Sequence, residues 1–182
     1  MATVLIVIGS IATVVVLVIV VNLIGALMSY GDNVISRPAT AQKSMTPHEM
    51  IVETLGWARD TAEVAGGTWT YGDGTSWDPH DTTGYTSQGC GGGTLNHYEI
   101  YLESAGSADP LAAAKRMMAH WKKLGYSARY VGSTDPSNGY LTQIAADLPN
   151  GAGITFAASN EGDTIIAYGQ CSADRGLLKP SK

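Results

Sequence analysis

Residues 141–170 read LTQIAADLPNGAGITFAASNEGDTIIAYGQ, three apolar stretches separated by Pro149-Asn150-Gly151 and by Asn160-Glu161-Gly162-Asp163. The stretches Leu141 to Leu148, Gly153 to Ser159 and Thr164 to Gln170 carry β-branched and small apolar residues, and the separators are residues that build tight turns. This pattern predicts three hairpin-connected strands and therefore an antiparallel sheet. Upstream, Ser127 to Ser133 reads as a further strand. His97 to Glu103 alternates, with Tyr98, Ile100 and Leu102 facing one side and His97, Glu99, Tyr101 and Glu103 a wetter one.

Two helices are expected to cover that sheet. Thr46, Pro47 and Glu49 form a Thr-x-x-Glu capping box, Met50, Ile51, Leu55, Ala58, Ala62 and Ala65 recur at helical spacing, and Gly66-Gly67 ends the run. The second helix is capped by Asp109, opened by Pro110 and closed by Gly125, with an apolar stripe of Leu111, Ala114, Met117, Met118, Trp121 and Leu124. Lys115, Arg116, Lys122 and Lys123 share its other arc, a basic face that suits acidic headgroups or an acidic partner, and that an ordinary solvated helix also shows. The order α, β, α, β, β, β, β places the chain in the α+β class. The expectation is one two-layer domain over residues 46–174, with a mainly antiparallel sheet of four to five strands and two helices, then a flexible tail at 175–182.

Before this domain, Val4 to Met28 reads VLIVIGSIATVVVLVIVVNLIGALM without a charge. As a helix it would be about 37 Å long, enough to cross a ~30 Å hydrocarbon core with some tilt. Residues 1–30 are therefore expected to be a transmembrane signal-anchor helix, and 31–45, mixing Gly, Pro, Ser and polar residues, a linker. Met1-Ala2-Thr3 lacks the basic start of a cleaved signal peptide, although Ala39-Thr40-Ala41 resembles a cleavage site. Asn22, Gly25 and Ser29 fall on one helical face, as at a contact with another membrane helix; the alternative is that Asn22 bonds locally near the interface.

Orientation is expected to be N-terminus cytoplasmic and domain extracytoplasmic. Arg37 and Lys43 argue the other way by the positive-inside rule. The chain's two cysteines, Cys90 and Cys171, outweigh them if they form a disulfide, since such a bond persists in an oxidising compartment. The competing reading is two buried thiols. No charged residue precedes Asp32, so the net charge of −5 belongs to the domain and linker. An acidic domain does not attract nucleic acid, and nine Tyr and four Trp are enough to seed a core.

Residues 68–93, TWTYGDGTSWDPHDTTGYTSQGCGGG, carry almost no aliphatic side chain and read as a loop region with room for a short strand at Trp69 to Tyr71. Asp73, Asp78, His80 and Asp81 are residue types that ligate metals or exchange protons, but they match no EF-hand, zinc or metalloprotease spacing, and the same residues build turns. Trp69, Tyr71, Trp77 and Tyr85 interleave with them and offer a ligand or partner surface; the alternative is a satellite cluster packed under the loop. There is no G-x-S-x-G elbow, and Gly89-Cys90-Gly91-Gly92-Gly93 lacks the Lys and Ser/Thr of a phosphate loop. No cofactor is implied.

The layout of an N-terminal export segment, a helix with Trp57, a Gly-rich stretch holding Cys90, a strand, a helix around Trp121, then hairpins ending in Gln170-Cys171-Ser172 resembles small exported actinobacterial proteins of unknown function, often lipoproteins. The resemblance spans about residues 47–173. This chain departs from it in having a full apolar helix and no lipid-anchoring cysteine. The β, α, β, β, β, β order is also similar to cystatin-like and nuclear-transport-factor-like sheets, which host binders as well as enzymes. These readings lead to a non-catalytic, membrane-anchored accessory or binding protein of the cell envelope. Its partners are the bilayer and a membrane protein complex, or a second copy through the helix. The alternative is an envelope hydrolase or metal-dependent enzyme using the 73–81 loop.

Overall fold

The computed structural model describes residues 45–90, 94–131, 142–174 and 176, all within the unit Arg37–Lys182. The expected membrane helix with Asn22, Gly25 and Ser29, the linker up to residue 44 with Ala39-Thr40-Ala41, and the tail apart from Gly176 lie outside the described residues. Among those described, no helix is long and apolar enough to cross a membrane.

Helix α1 spans Pro47–Ala65 and begins where its capping box predicts. Thr46 Oγ1 accepts from the Glu49 N–H while Glu49 Oε2 accepts from the Thr46 N–H at 2.7 Å. Gly66 ends it with φ +78°, a conformation that a β-carbon would strain. Helix α2 spans Pro110–Lys123, with Asp109 accepting from the Ala112 N–H at 2.9 Å and Gly125 at φ +84° just past its end.

The strands are β1 (Trp69–Tyr71), β2 (Thr86–Gly89), β3 (Asn96–Ala105), β4 (Ser127–Tyr130), β5 (Thr142–Asp147), β6 (Gly153–Ala158) and β7 (Gly162–Tyr168). They form one seven-stranded sheet in the order β1-β3-β7-β6-β5-β4, and every pairing is antiparallel. β1 and β2 share one edge of β3: Trp69 to Tyr71 pair with Ser104 to Leu102, and Thr86 to Gly89 with Glu99 to Asn96. From β3 the chain crosses the sheet as α2, enters the far edge as β4 and meanders back through β5 and β6 until β7 closes on β3.

The α+β class and the two helices are as the sequence predicts, but the sheet has seven strands where four to five were expected. β2 was missed because Thr86-Ser87-Gln88-Gly89 is exposed throughout. It buries no apolar face and so shows no hydrophobic alternation.

The core lies between the helices and one face of the sheet. Ile100 and Leu102, Ile165 and Ala167, Ile154, Phe156 and Ala158, and Ile144 and Ala146 meet Leu55, Ala58, Ala114, Met117 and Trp121 there. Two side-chain contacts clamp the helices together: Trp121 donates to Thr61 Oγ1 at 3.3 Å inside the core, and His120 Nε2 lies 2.7 Å from Asp60 Oδ2 nearer the surface. Leu124, placed in the apolar stripe from its spacing, is instead exposed at the C-cap of α2. His97, assigned to the wetter face of β3, is only 4% exposed.

Candidate functional site

The segment after α1 folds on local rules. β1 turns back at once, with the Tyr71 N–H donating to the Thr75 carbonyl at 2.8 Å and the Trp77 N–H to the Trp69 carbonyl at 3.0 Å, and Gly74 at φ +82° permits the reversal. Three successive Asx turns follow. Asp73 accepts from the Thr75 N–H at 2.9 Å, Asp78 from the His80 N–H at 2.8 Å, and Asp81 from the Thr83 N–H at 2.8 Å and the Thr83 hydroxyl at 2.6 Å. The Thr75 donors hold the Asp73 carboxyl below its usual range, and the Thr83 hydroxyl and N–H do the same for Asp81. One oxygen of each carboxylate is thus engaged by its own backbone. Among the described residues, Asp73, Asp78, His80 and Asp81 do not gather into a metal-binding group.

The four aromatic residues of this region all pack toward the core. Trp69 is buried and donates from Nε1 to the Gly66 carbonyl at 3.0 Å. Tyr85 meets Tyr98 edge-on, with ring centroids 4.3 Å apart. The Tyr71 hydroxyl is buried beside the Asp81 carboxylate. Burial, and after it the charges of Asp81, Asp78 and Asp73, push its phenol up to about 12.

Trp69 and Trp77 also line an open groove of about 420 Å³ between the last turns of α1 and this loop. Its helix side carries Arg59, Ala62, Glu63 and Gly66, and its loop side Thr68, Ser76, Trp77 and Pro79. Arg59 and Glu63 give the apolar slot one charge of each sign, and the Trp77 indole N–H is buried without an acceptor. The volume falls within the range of small-ligand and peptide-side-chain sites. Sequence reading found the two Trp but not the helix side. The signal was available: Arg59, Ala62, Glu63 and Gly66 stand at i, i+3, i+4 and i+7, one face of α1 at its C-terminal end.

At the other end of β3, Cys90 and Cys171 are joined by a disulfide with Cα atoms 6.2 Å apart. Main-chain bonds place both. The Cys90 N–H donates to the Leu95 carbonyl at 2.9 Å, and Ser172, next to Cys171, exchanges two bonds with Asn96 at 2.8 and 2.9 Å. His97, the next residue along β3, brings Nδ1 to 3.1 Å from Cys90 Sγ.

No protein-family model matches the chain, and no curated protein sequence does. Its fold is similar to the crystal structure of a DUF4853 family protein from Actinomyces odontolyticus, at 14% identity over 72% of this chain and 71% of that one, with a TM-score of 0.50. That family is one of unknown function. The actinobacterial resemblance read from the sequence therefore has a structural counterpart at the level of the fold.

Proposed function

We propose that this chain is a non-catalytic accessory or binding protein of the cell envelope, and that its groove between α1 and the 68–79 loop holds a segment of a membrane protein partner. The observation that carries the reading is the groove itself, in which two indoles and Pro79 lie beside Arg59 and Glu63. Such a slot suits an extended peptide that offers an apolar side chain flanked by charge. Residues 1–30 would hold the domain at the membrane, with Asn22, Gly25 and Ser29 facing a helix of the same complex or of a second copy. The Cys90–Cys171 disulfide favours an oxidising compartment and so an extracytoplasmic domain.

The test is purification of the tagged full-length protein from native membranes in mild detergent, with the stoichiometry of what accompanies it. A membrane protein recovered at fixed ratio, and lost about tenfold on Arg59→Ala or Trp77→Ala in protein of unchanged circular dichroism, is the expected result. Recovery of the protein alone, or full retention of the partner by both variants, would overturn the proposal.

A further inference from the structure

Three chain segments meet at the start of β3. β2 pairs along one edge, with Gln88 opposite His97 and Gly89 opposite Asn96, and Ser172 bridges to Asn96. The result is a buried cluster of Cys90, His97 and Cys171 whose donor atoms all lie within 4.8 Å of one another. His97 alternates with Tyr98, which packs against Met50 and Ile51 of α1, so the cluster sits on the face of the sheet away from the helices. The Tyr168 ring lies against the imidazole, with centroids 5.6 Å apart.

The histidine is poorly matched to an inert disulfide. Nδ1 faces Cys90 Sγ, and a disulfide sulfur is a weak acceptor that returns little for the desolvation of an imidazole. Nε2 is buried with no hydrogen-bond partner, and the Glu99 carboxylate stands 4.0 Å away. A buried polar atom left this way costs stability. The same atoms make sense around a cation once the cysteines are reduced. Two thiolates and an imidazole are the donors that select zinc-class ions, and a carboxylate behind the second nitrogen of the imidazole is the usual support of a metal-bound histidine.

We propose that Cys90, His97 and Cys171 form a redox-gated site for a zinc-class divalent cation, closed while the disulfide stands and able to bind metal when it is reduced. Opening is a two-electron step. An external dithiol gives up two electrons and two protons and becomes a disulfide, while the Cys90–Cys171 bond breaks and each sulfur leaves as a thiol. Metal binding then releases both thiol protons to solvent. Three protein donors leave one coordination position for a solvent oxygen. Glu99, 4.0 Å from His97 Nε2, is the positioning residue: its carboxylate closes on Nε2–H when Nδ1 takes the metal. The site is independent of what occupies the groove.

The test uses the full chain in detergent, oxidised or reduced with a phosphine, titrated with cobalt(II) as a spectroscopic probe. The reduced protein is expected to take up one equivalent, with thiolate-to-cobalt charge-transfer absorption and the visible bands of a tetrahedral site, and the oxidised protein none. Glu99→Gln should weaken uptake about tenfold, and His97→Ala by more than that; His97→Gln is read in its place if His97→Ala does not fold. If reduction unfolds the domain, zinc must restore its circular dichroism, because binding to such a site is coupled to folding. A folded, reduced protein without the charge-transfer band overturns the proposal. So does a histidine variant that binds cobalt like the wild type, or an unfolded reduced chain that zinc fails to restore.

Discussion

Asp163 joins three parts of the chain through one carboxylate. Its Oδ1 accepts from the N–H groups of Ser107 and Ser159 at 3.2 and 3.1 Å, and its Oδ2 from the Ser107 hydroxyl at 2.5 Å. It is 6% exposed, so its removal strands donors away from water. Asp163→Ala is expected to lower the unfolding free energy by about 2 to 3 kcal/mol, read from the denaturation midpoint in urea. Beside it, Gly106 lies against the backbone of Asn160, where a β-carbon has no room. Tyrosine ionisation supplies a test by pH. Burial, aided by the loop carboxylates, holds Tyr71 at about 12, and the Glu103 hydrogen bond, aided by burial, does the same for Tyr101, against an ordinary value of 10.0. Between those values the folded chain keeps protons that the unfolded chain has released. Their contribution to stability is therefore complete below pH 10 and is lost as pH rises toward 12. Tyr71→Phe should lose less stability than the wild type between pH 9 and about pH 11.5, measured by urea unfolding at each pH.

At the level of elements, what was legible in the sequence is what depends on neighbours. The capping box of Thr46 and Glu49, the Asp109 cap and the turns at 149–151 and 160–163 act over three or four residues, and the structure forms α1, α2, β6 and β7 between them. Thr46→Ala and Asp109→Ala should each cost about 1 kcal/mol. Trp121→Ala, which empties the centre of the core and strands Thr61, should cost about 3 to 5 kcal/mol in thermal or urea unfolding. What stayed hidden depends on distant partners. β2 carries no apolar pattern and exists because β3 offers it an edge. The alternation of β3 pointed His97 toward solvent, but the Cys90–Cys171 bridge and Tyr168 cover it. The aromatic half of the groove was visible because Trp69 and Trp77 are rare residues in a polar loop. Arg59 and Glu63 were not, because a charge on a helix surface is ordinary until a loop closes over it.

At the scale of the whole molecule, the sheet is closed at one end by a covalent tie and open at the other to a groove. The disulfide joins residues 81 positions apart and ties the end of β2 to the chain leaving β7. Replacing both cysteines with serine should lower stability by about 2 to 5 kcal/mol in metal-free buffer, mainly by freeing the unfolded chain. The groove lies beside β1, where α1 hands the chain to the loop, and the DUF4853 family protein from Actinomyces odontolyticus shares the fold on which these features are mounted. If this groove holds a membrane protein partner, a residue on its rim lies against that partner and a residue on another face does not. A photo-crosslinking amino acid placed in living cells at Glu63, on the rim of the groove, and separately at Lys115, on the exposed arc of α2, distinguishes the two faces. One discrete adduct with a membrane protein is expected from position 63, reduced by Trp77→Ala, and none from position 115. No adduct at position 63, or the same adduct from both positions, would rule the groove out as the partner's seat.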